Sequence, residues 1–347
     1  MLVNIKPLST FPKLHSDTLF GALLSAINEL YPDKVEYIID KFEEGEPPFL
    51  ISSTFPVLFN EDENIRFYPK LIINSDLTDI NPKTIKEYKK VEFIDETLFK
   101  SLINGEMSEK ELLENYDKYY KYSNLLMSKN PDVDFGFGKN ILPNNSVNRL
   151  VNDTKIFYTQ GDSYKNLGLF FLIKIFENEF EDILKSALKF LKDRGFGRDI
   201  STGKGQFDYN IETEDLINND ENGNMFTTLS RFIPSSDDLK RVNEYSFYEI
   251  GSKRGRDKTG EIRKQIRFFK EGSIFPNYQK NYGNIIKSGD INPAVEYGYA
   301  FPIRFNMEMK ERNAISKFYL QSILDLVRDI LLLNTLIQKL KQKKGLF

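Results

Sequence analysis

The order of elements along this chain predicts an α+β fold: two tandem ferredoxin-like (RRM-like) domains with antiparallel sheets, a helical insertion in the first, and a helix at the C-terminus. Three observations lead to it. Apart from one charged stretch, residues 1–217 run strand, helix, strands, helix, strand. The polar run N-N-D-E-N-G-N at 218–224 then reads as a linker to a second series of short strands ending near residue 310. Residues 311–347 carry apolar side chains at helical spacing.

The first strand is Leu2 to Leu8, and a loop leads from it to His15. A helix starts near Ser16 or Asp17, either of which is a good N-cap, and Leu19, Phe20, Leu23, Leu24, Ile27 and Leu30 give it a broad buried face. A second helix, Val35 to Glu44, stops at Gly45. F-L-I-S-S-T-F-P-V-L-F and R-F-Y-P-K-L-I-I supply strands, with Pro56 and Pro69 expected at edges or bends. From Asn74 to about Tyr122 the pattern turns helical and strongly charged. This is the insertion, placed at about 75–125 and tied to the rest through Leu98, Leu102, Leu112, Leu113 and Tyr116. Residues 129–150, rich in Asn, Pro and Gly, read as a loop. I-F-Y-T-Q and N-L-G-L-F-F-L-I-K-I read as a hairpin joined by G-D-S-Y-K, its second strand deeply buried. A helix from about Asn178 to Lys192 carries Phe180, Ile183, Leu184, Ala187, Leu188 and Leu191 inward, and Phe207, Tyr209 and Ile211 mark a closing strand.

In the second half, M-F-T-T-L-S-R-F, Y-S-F-Y-E-I, S-I-F-P and A-V-E-Y-G-Y-A-F-P-I-R-F are strand candidates, and S-S-D-D-L-K-R-V can open a helix. Residues 251–270 form a basic arm in which eight basic residues face only Asp257 and Glu261. Ile262, Ile266 and Phe268 suggest that the arm is an anchored hairpin. In the last segment Leu320, Ile323, Leu324, Val327, Ile330, Leu331, Asn334, Ile337 and Leu340 follow a helical period and K-Q-K-K-G-L-F ends it.

The richest chemistry lies between the helix and the closing strand, in G-F-G-R-D-I-S-T-G-K-G-Q-F at 195–207. Gly195, Gly197, Gly203 and Gly205 free the backbone for positive φ and close approach of an anion. Arg198, Ser201, Thr202 and Lys204 add hydroxyl donors and charge suited to a phosphodiester. A Walker loop runs from strand to helix, whereas this one runs from helix to strand. Five residues separate Gly197 from Gly203, and Gly205 follows Lys204 where Ser or Thr is needed. Nucleoside triphosphate binding of that kind and a dinucleotide fingerprint both fail on this order.

The chain has no cysteine and one histidine, His15, so a thiolate or histidine metal centre is not expected, nor is a cofactor. Net charge is −3 from 48 basic and 51 acidic residues, so nucleic acid must meet local patches rather than a basic coat. No signal design opens the sequence and no apolar run reaches the ~20 residues of a membrane span, which points to the cytoplasm and away from membranes.

L-H-S-D-T-L-F-G-A-L at 14–23, I-S-S-T-F-P at 51–56, Y-P-K at 68–70, V-N-R-L with I-F-Y-T-Q, the glycine loop and V-E-Y-G-Y-A-F at 295–301 occur in one order. Over roughly residues 1–305 that order resembles a group of RAMP proteins, subunit four of the Csm complex, the type III-A CRISPR effector. The resemblance implies a non-catalytic subunit that grips the 5′ tag of the CRISPR RNA (crRNA) and contacts the large polymerase-like subunit and the backbone RAMP subunit. The residues expected at the RNA are His15, Ser16, Arg149, Arg194, Gly195, Gly197, Arg198, Ser201, Thr202, Gly203, Lys204, Gly205, Lys253, Arg254 and Arg256. Arg198 stands where the family commonly has a second glycine and Ile200 where it has a basic residue; the tail after Phe305 exceeds the family pattern. The rival reading is a RAMP endoribonuclease that processes CRISPR precursor RNA with His15 as general acid or base.

Overall fold

The structure, a computed structural model, describes residues 1–60, 63–148, 150, 153–197, 203–213, 220–242, 245–254, 265–288 and 294–307. Arg149, Arg198, Ser201, Thr202, Arg256 and the expected terminal helix at 311–347 lie outside the described residues.

The first half contains β1 (Leu2–Pro7), α1 (Ser16–Leu30), α2 (Pro32–Glu43), β2 (Phe49–Ile51), β3 (Phe55–Leu58) and β4 (Ile65–Pro69). It continues through α3 (Pro82–Tyr88), β5 (Phe93–Asp95), α4 (Glu96–Ile103), α5 (Glu109–Glu114), β6 (Tyr120–Tyr122) and β7 (Leu125–Met127). It closes with β8 (Gly136–Asn148), β9 (Asp153–Lys165), β10 (Leu167–Ile175), α6 (Glu179–Arg194) and β11 (Phe207–Glu212). One nine-stranded sheet organises it, in the order β11-β1-β10-β3-β4-β5-β7-β6 with β2 beside the far end of β10. Its ladders are antiparallel except the parallel pair β5–β7. β10 is central because its sequence is apolar from Leu167 to Ile173, and Leu167 to Phe171 are all buried. A Cβ on Gly168 would come within 2.3 Å of the Ile5 carbonyl oxygen, so this close approach requires glycine.

Four expectations change here. Residues 136–148 are not a loop but a 13-residue strand paired along its whole length with β9, from Gly136 opposite Lys165 to Asn148 opposite Asp153. G-D-S-Y-K therefore lies inside β9 rather than at a turn. The insertion is not purely helical: β5, β6 and β7 extend the main sheet between its helices. Pro56 is on an interior strand, tolerated because the β3–β4 register starts only at Val57, so its missing N–H takes nothing from that ladder. Finally, the N-cap of α1 is His15, without a side-chain cap bond; Ser16 and Asp17 are already inside the helix.

The second half has β12 (Met225–Thr228), α7 (Ser236–Arg241), β13 (Ile250–Lys253), β14 (Ile266–Phe269), β15 (Ile274–Pro276), β16 (Ile285–Ser288), β17 (Ala294–Tyr297) and β18 (Pro302–Phe305). They form a three-stranded sheet, β15-β12-β18, and two hairpins, β13–β14 and β16–β17. S-S-D-D opens α7 as expected, through a reciprocal capping box between Ser235 and Asp238. The stem of the basic arm is the hairpin β13–β14, with Lys253 opposite Ile266.

The halves share one core. V-E-Y-G-Y places Tyr297 and Tyr299 in the aromatic cluster of the first half, with ring centroids 4.9 Å from Phe20 and 5.2 Å from Phe42 respectively. Both hydroxyls are satisfied across the junction: Ile51 N–H donates to the Tyr297 oxygen, and the Tyr299 hydroxyl donates to the Phe42 carbonyl. Among the described residues no helix is long and apolar enough to cross a membrane.

Candidate nucleic-acid interface

Among its described residues, the glycine loop has anchored ends and open positions at Gly197 and Gly203. Gly195, at φ 86°, ends α6 and donates its N–H to the Leu191 carbonyl at 2.8 Å. Phe196 N–H then donates to the Gly205 carbonyl, and Gly205 N–H to the Thr10 carbonyl, at 2.8 and 3.0 Å. A Cβ on Gly205 would lie 1.7 Å from the Phe196 carbonyl oxygen. These contacts close the loop at its base, where Phe196 and Phe207 also pack on Phe11. Gly197 (φ 99°) and Gly203 (φ 82°) differ: Gly197 is exposed, and nothing lies within 4 Å of a Cβ built on Gly203. Arg194 is exposed at the end of α6, its guanidinium 5.9 Å from the Phe190 ring.

Beside Gly203 and Lys204 stands the β8–β9 hairpin. Phe11 N–H donates to the Asp162 carbonyl at 2.9 Å, and a Cβ on Gly161 would be 2.7 Å from Thr10 Cβ, so the hairpin is clamped on the segment that also holds Gly205. The Lys204 ammonium reaches up to the Thr159 hydroxyl. Gly203, Lys204, Ser9, Thr10, Asn144 and Tyr164 are among the walls of a cleft of about 510 Å³. Beyond the cleft the hairpin presents apolar side chains to solvent: Ile156, Phe157 and Tyr158 are 65, 47 and 69 % exposed, and Val147 and Ile141 more than half. Three consecutive apolar residues on a strand point to both faces, so neither face of this hairpin is shielded. The sequence places I-F-Y-T-Q on a strand and in the resemblance, but none of these apolar residues is among those expected at the RNA. The available signal was that I-F-Y has no polar partner alternating with it.

The second group of expected residues is a seam between the halves. Ser16 is fully buried, and its hydroxyl accepts from Arg231 N–H at 3.0 Å. Asp17, its carboxylate 3 % exposed, pairs with Arg231 Nη1 at 3.0 Å and with Lys253, which in turn pairs with Glu296. Burial pushes the Asp17 carboxyl up, but the two cations beside it outweigh that and leave it below its ordinary value. His15 Nδ1 lies 2.8 Å from Glu271 Oε1, the oxygen that also accepts from the Ser53 hydroxyl at 2.5 Å. Burial raises the Glu271 carboxyl as well, yet the His15 and Ser53 hydrogen bonds bring it down to about 2. Lys253 is thus held by carboxylates at the root of the basic arm, while Arg254, the next residue, is exposed. The sequence grouped both sets by polarity; the fold separates an open cleft from a closed seam.

Comparison with known proteins follows the same lines. Residues 221–305 match the family model described as the CRISPR Csm4 C-terminal domain. The chain is 25 % identical over 278 residues to a protein named CRISPR system Cms protein Csm4 from Methanocaldococcus jannaschii, covering 68 % of this chain and 72 % of that protein. A protein of the same name from Thermococcus onnurineus is 22 % identical over 317 residues, covering 87 % and 94 %. In fold the chain is similar to one in the crystal structure of the Csm3–Csm4 subcomplex in the type III-A CRISPR-Cas interference complex. The TM-score is 0.61 at 21 % identity, covering 88 % of this chain and 99 % of that one. A chain of the Csm1–Csm4 cassette in complex with AMPPNP aligns with a TM-score of 0.54 at 19 % identity, covering 90 % and 98 %. The chain thus matches the Csm4 C-terminal domain over residues 221–305 and is similar over most of its length to proteins named Csm4.

Proposed function

We propose that this chain is a non-catalytic, cytoplasmic subunit that grips the 5′ tag of crRNA and bridges the large polymerase-like subunit to the backbone RAMP subunit of a type III-A complex. The observation that carries the reading is the pairing of an open glycine-and-lysine cleft with exposed apolar side chains on the hairpin above it. Single-stranded RNA needs both: phosphates are met by free amides and cations, and splayed bases stack on aromatic rings. In this reading Gly197, Gly203, Lys204 and Arg194 approach the backbone, Arg198, Ser201 and Thr202 share the same loop, and Phe157 and Tyr158 offer stacking surfaces. Arg149 adjoins the hairpin in sequence, and Arg254 and Arg256 lie on the basic arm. The bridging role rests on the resemblance and on similar proteins crystallised as Csm3–Csm4 and Csm1–Csm4 assemblies.

The tandem ferredoxin-like organisation belongs to the same proposal. In the first half β1, α1, β3, β10, α6 and β11 supply the strand-helix-strand-strand-helix-strand order around β11-β1-β10-β3, and we read the second half as a divergent copy.

Against the endoribonuclease alternative stands the engagement of His15. Its ring faces Glu271 in a seam that joins the halves, which suits an anchor better than a proton shuttle. His15→Ala is expected to leave RNA cleavage unchanged in an assay of the purified subunit with precursor RNA; a cleavage activity lost in the variant would reverse the assignment. The tag-binding reading is tested by purifying the subunit with its neighbours, sequencing the 5′ ends of the RNA that comes with it, and titrating salt. Log affinity should fall with log salt at a slope near −0.7 per phosphate contact, and a flat response would remove the hypothesis.

A further inference from the structure

The register of the β8–β9 hairpin gives its two faces different chemistry. Residues opposite one another on antiparallel strands share a face, and successive residues alternate between faces. Asn144 is opposite Phe157 and Leu142 opposite Thr159, so these four side chains lie on one face, with Ile156 and Tyr158 on the other. The first face is the one turned to the glycine loop, because the Lys204 ammonium reaches Thr159 and because Leu142 and Asn144 line the cleft of about 510 Å³. On this face the Asn144 carboxamide is pinned. Its nitrogen donates to the Leu142 carbonyl at 3.1 Å and to the Thr159 hydroxyl at 2.8 Å. A carbonyl oxygen only accepts, so the group that meets it is the amide nitrogen, and both amide hydrogens are used. Asn144 Oδ1 remains, and it accepts no hydrogen bond among the described residues. Beside it the ring of Phe157 is 47 % exposed. A lone acceptor repels a phosphate oxygen, whereas a base brings both a flat face for the ring and an N–H for the oxygen.

We infer that Asn144 makes the cleft base-selective: one base of the bound RNA stacks on Phe157 and donates an exocyclic amino N–H to Asn144 Oδ1. Such selection rests on the tag-binding reading and adds the base chemistry to it. Adenine, cytosine and guanine carry an amino group that projects beyond the ring. Uracil has none, and its one edge N–H lies between two carbonyl oxygens, which bring acceptor against acceptor at Asn144. Uracil is therefore the base selected against. The pinning matters, since a free amide can turn and offer its nitrogen to a uracil carbonyl, whereas Leu142 and Thr159 hold this one in place. One net hydrogen bond of this kind corresponds to a preference of about 3–10-fold.

Binding is measured by competition, with the subunit assembled with its neighbours and synthetic CRISPR RNAs in which each tag position carries adenine, cytosine, guanine or uracil in turn. For the unaltered protein the expected result is one position at which uracil binds about 3–10-fold more weakly than the amino-bearing bases. At that position purine riboside, which is adenosine without its amino group, should bind as weakly as uracil. Asn144→Ala should remove these differences and leave the uracil RNA bound as before, with thermal unfolding close to that of the unaltered protein. Phe157→Ala should instead weaken all four bases at that position. A preference that survives Asn144→Ala, equal binding of all bases at every position, or a loss that follows replacement of one ribose by deoxyribose rather than a change of base would overturn base selection while tag binding stands. An unaltered assembly that binds no CRISPR RNA would overturn both.

Discussion

The cleft at the glycine loop and the seam at His15 are built from the same kinds of residue and do opposite things. At the seam every charge named has an internal partner: Asp17 meets Arg231 and Lys253, Lys253 meets Glu296, and Glu271 meets His15 and Ser53. At the loop, the Lys204 ammonium reaches the Thr159 hydroxyl and Gly203 faces open space. A charge already met by an opposite charge in low dielectric contributes to architecture, whereas a glycine backbone that faces open space leaves room for a phosphate. The difference between the two regions is therefore one of enclosure, not of composition.

The largest effect expected from disturbing this contrast is at the anchored end of the loop. Gly205→Val should cost about 4 kcal/mol or more, because its Cβ overlaps the Phe196 carbonyl, whereas Gly203→Ala meets only the φ strain of about 1–2 kcal/mol. Thermal unfolding of the two variants measures the gap; equal losses would show that the loop is not divided as described. Next comes the seam. Asp17→Ala leaves Arg231 and Lys253 facing each other without their carboxylate and should destabilise by roughly 3 kcal/mol, with RNA affinity falling only as the fold does. A stable Asp17→Ala variant that has lost RNA would move the seam into the binding site.

The hairpin sharpens the comparison from the other side. Replacing Ile156, Phe157 and Tyr158 together by Ala should weaken RNA binding by about 1–3 kcal/mol for each base that stacks there, while the melting temperature holds because the side chains are exposed. A drop in stability without loss of affinity would make the hairpin structural. The pH dependence of the seam has a definite sign. Glu271 is held at about 2 against an ordinary 4.5, so its contribution to stability is complete above 4.5 and disappears as pH falls towards 2. Glu271→Gln should flatten the acid limb of thermal stability between those values; an unchanged limb would show that the His15 contact contributes nothing. The smallest effect is at Lys204→Ala, where unfolding should be nearly unchanged and the salt slope of RNA binding should fall by about 0.7.

How much of this was readable depends on whether local chemistry or distant pairing decides each element. α6, the glycine loop and β11 were legible because a 3.6-residue apolar period, glycines and a 2-residue alternation succeed one another. The helix start in S-S-D-D-L-K-R-V and the apolar run of β10 were legible for similar reasons. β8 was not: Asn, Pro and Gly between 136 and 148 signal a loop, and only its 13-residue register with β9 makes it a strand. β5 and β7, three residues each, are too short to show any period and exist by pairing with each other and with β4 and β6.

The sequence alone determined which residues could make phosphate chemistry, where the helices flanking that chemistry run, and that thiolate metal chemistry has no place here, since these follow from side-chain type and short-range spacing. Only the tertiary structure decided which of the charged residues are engaged. Ser16 and Asp17 read like caps, and Lys253 like an open hand, until V-E-Y-G-Y and Arg231 were brought against α1 from more than 200 positions away. Long-range pairing satisfies a polar group or leaves it facing water, and no local pattern records which.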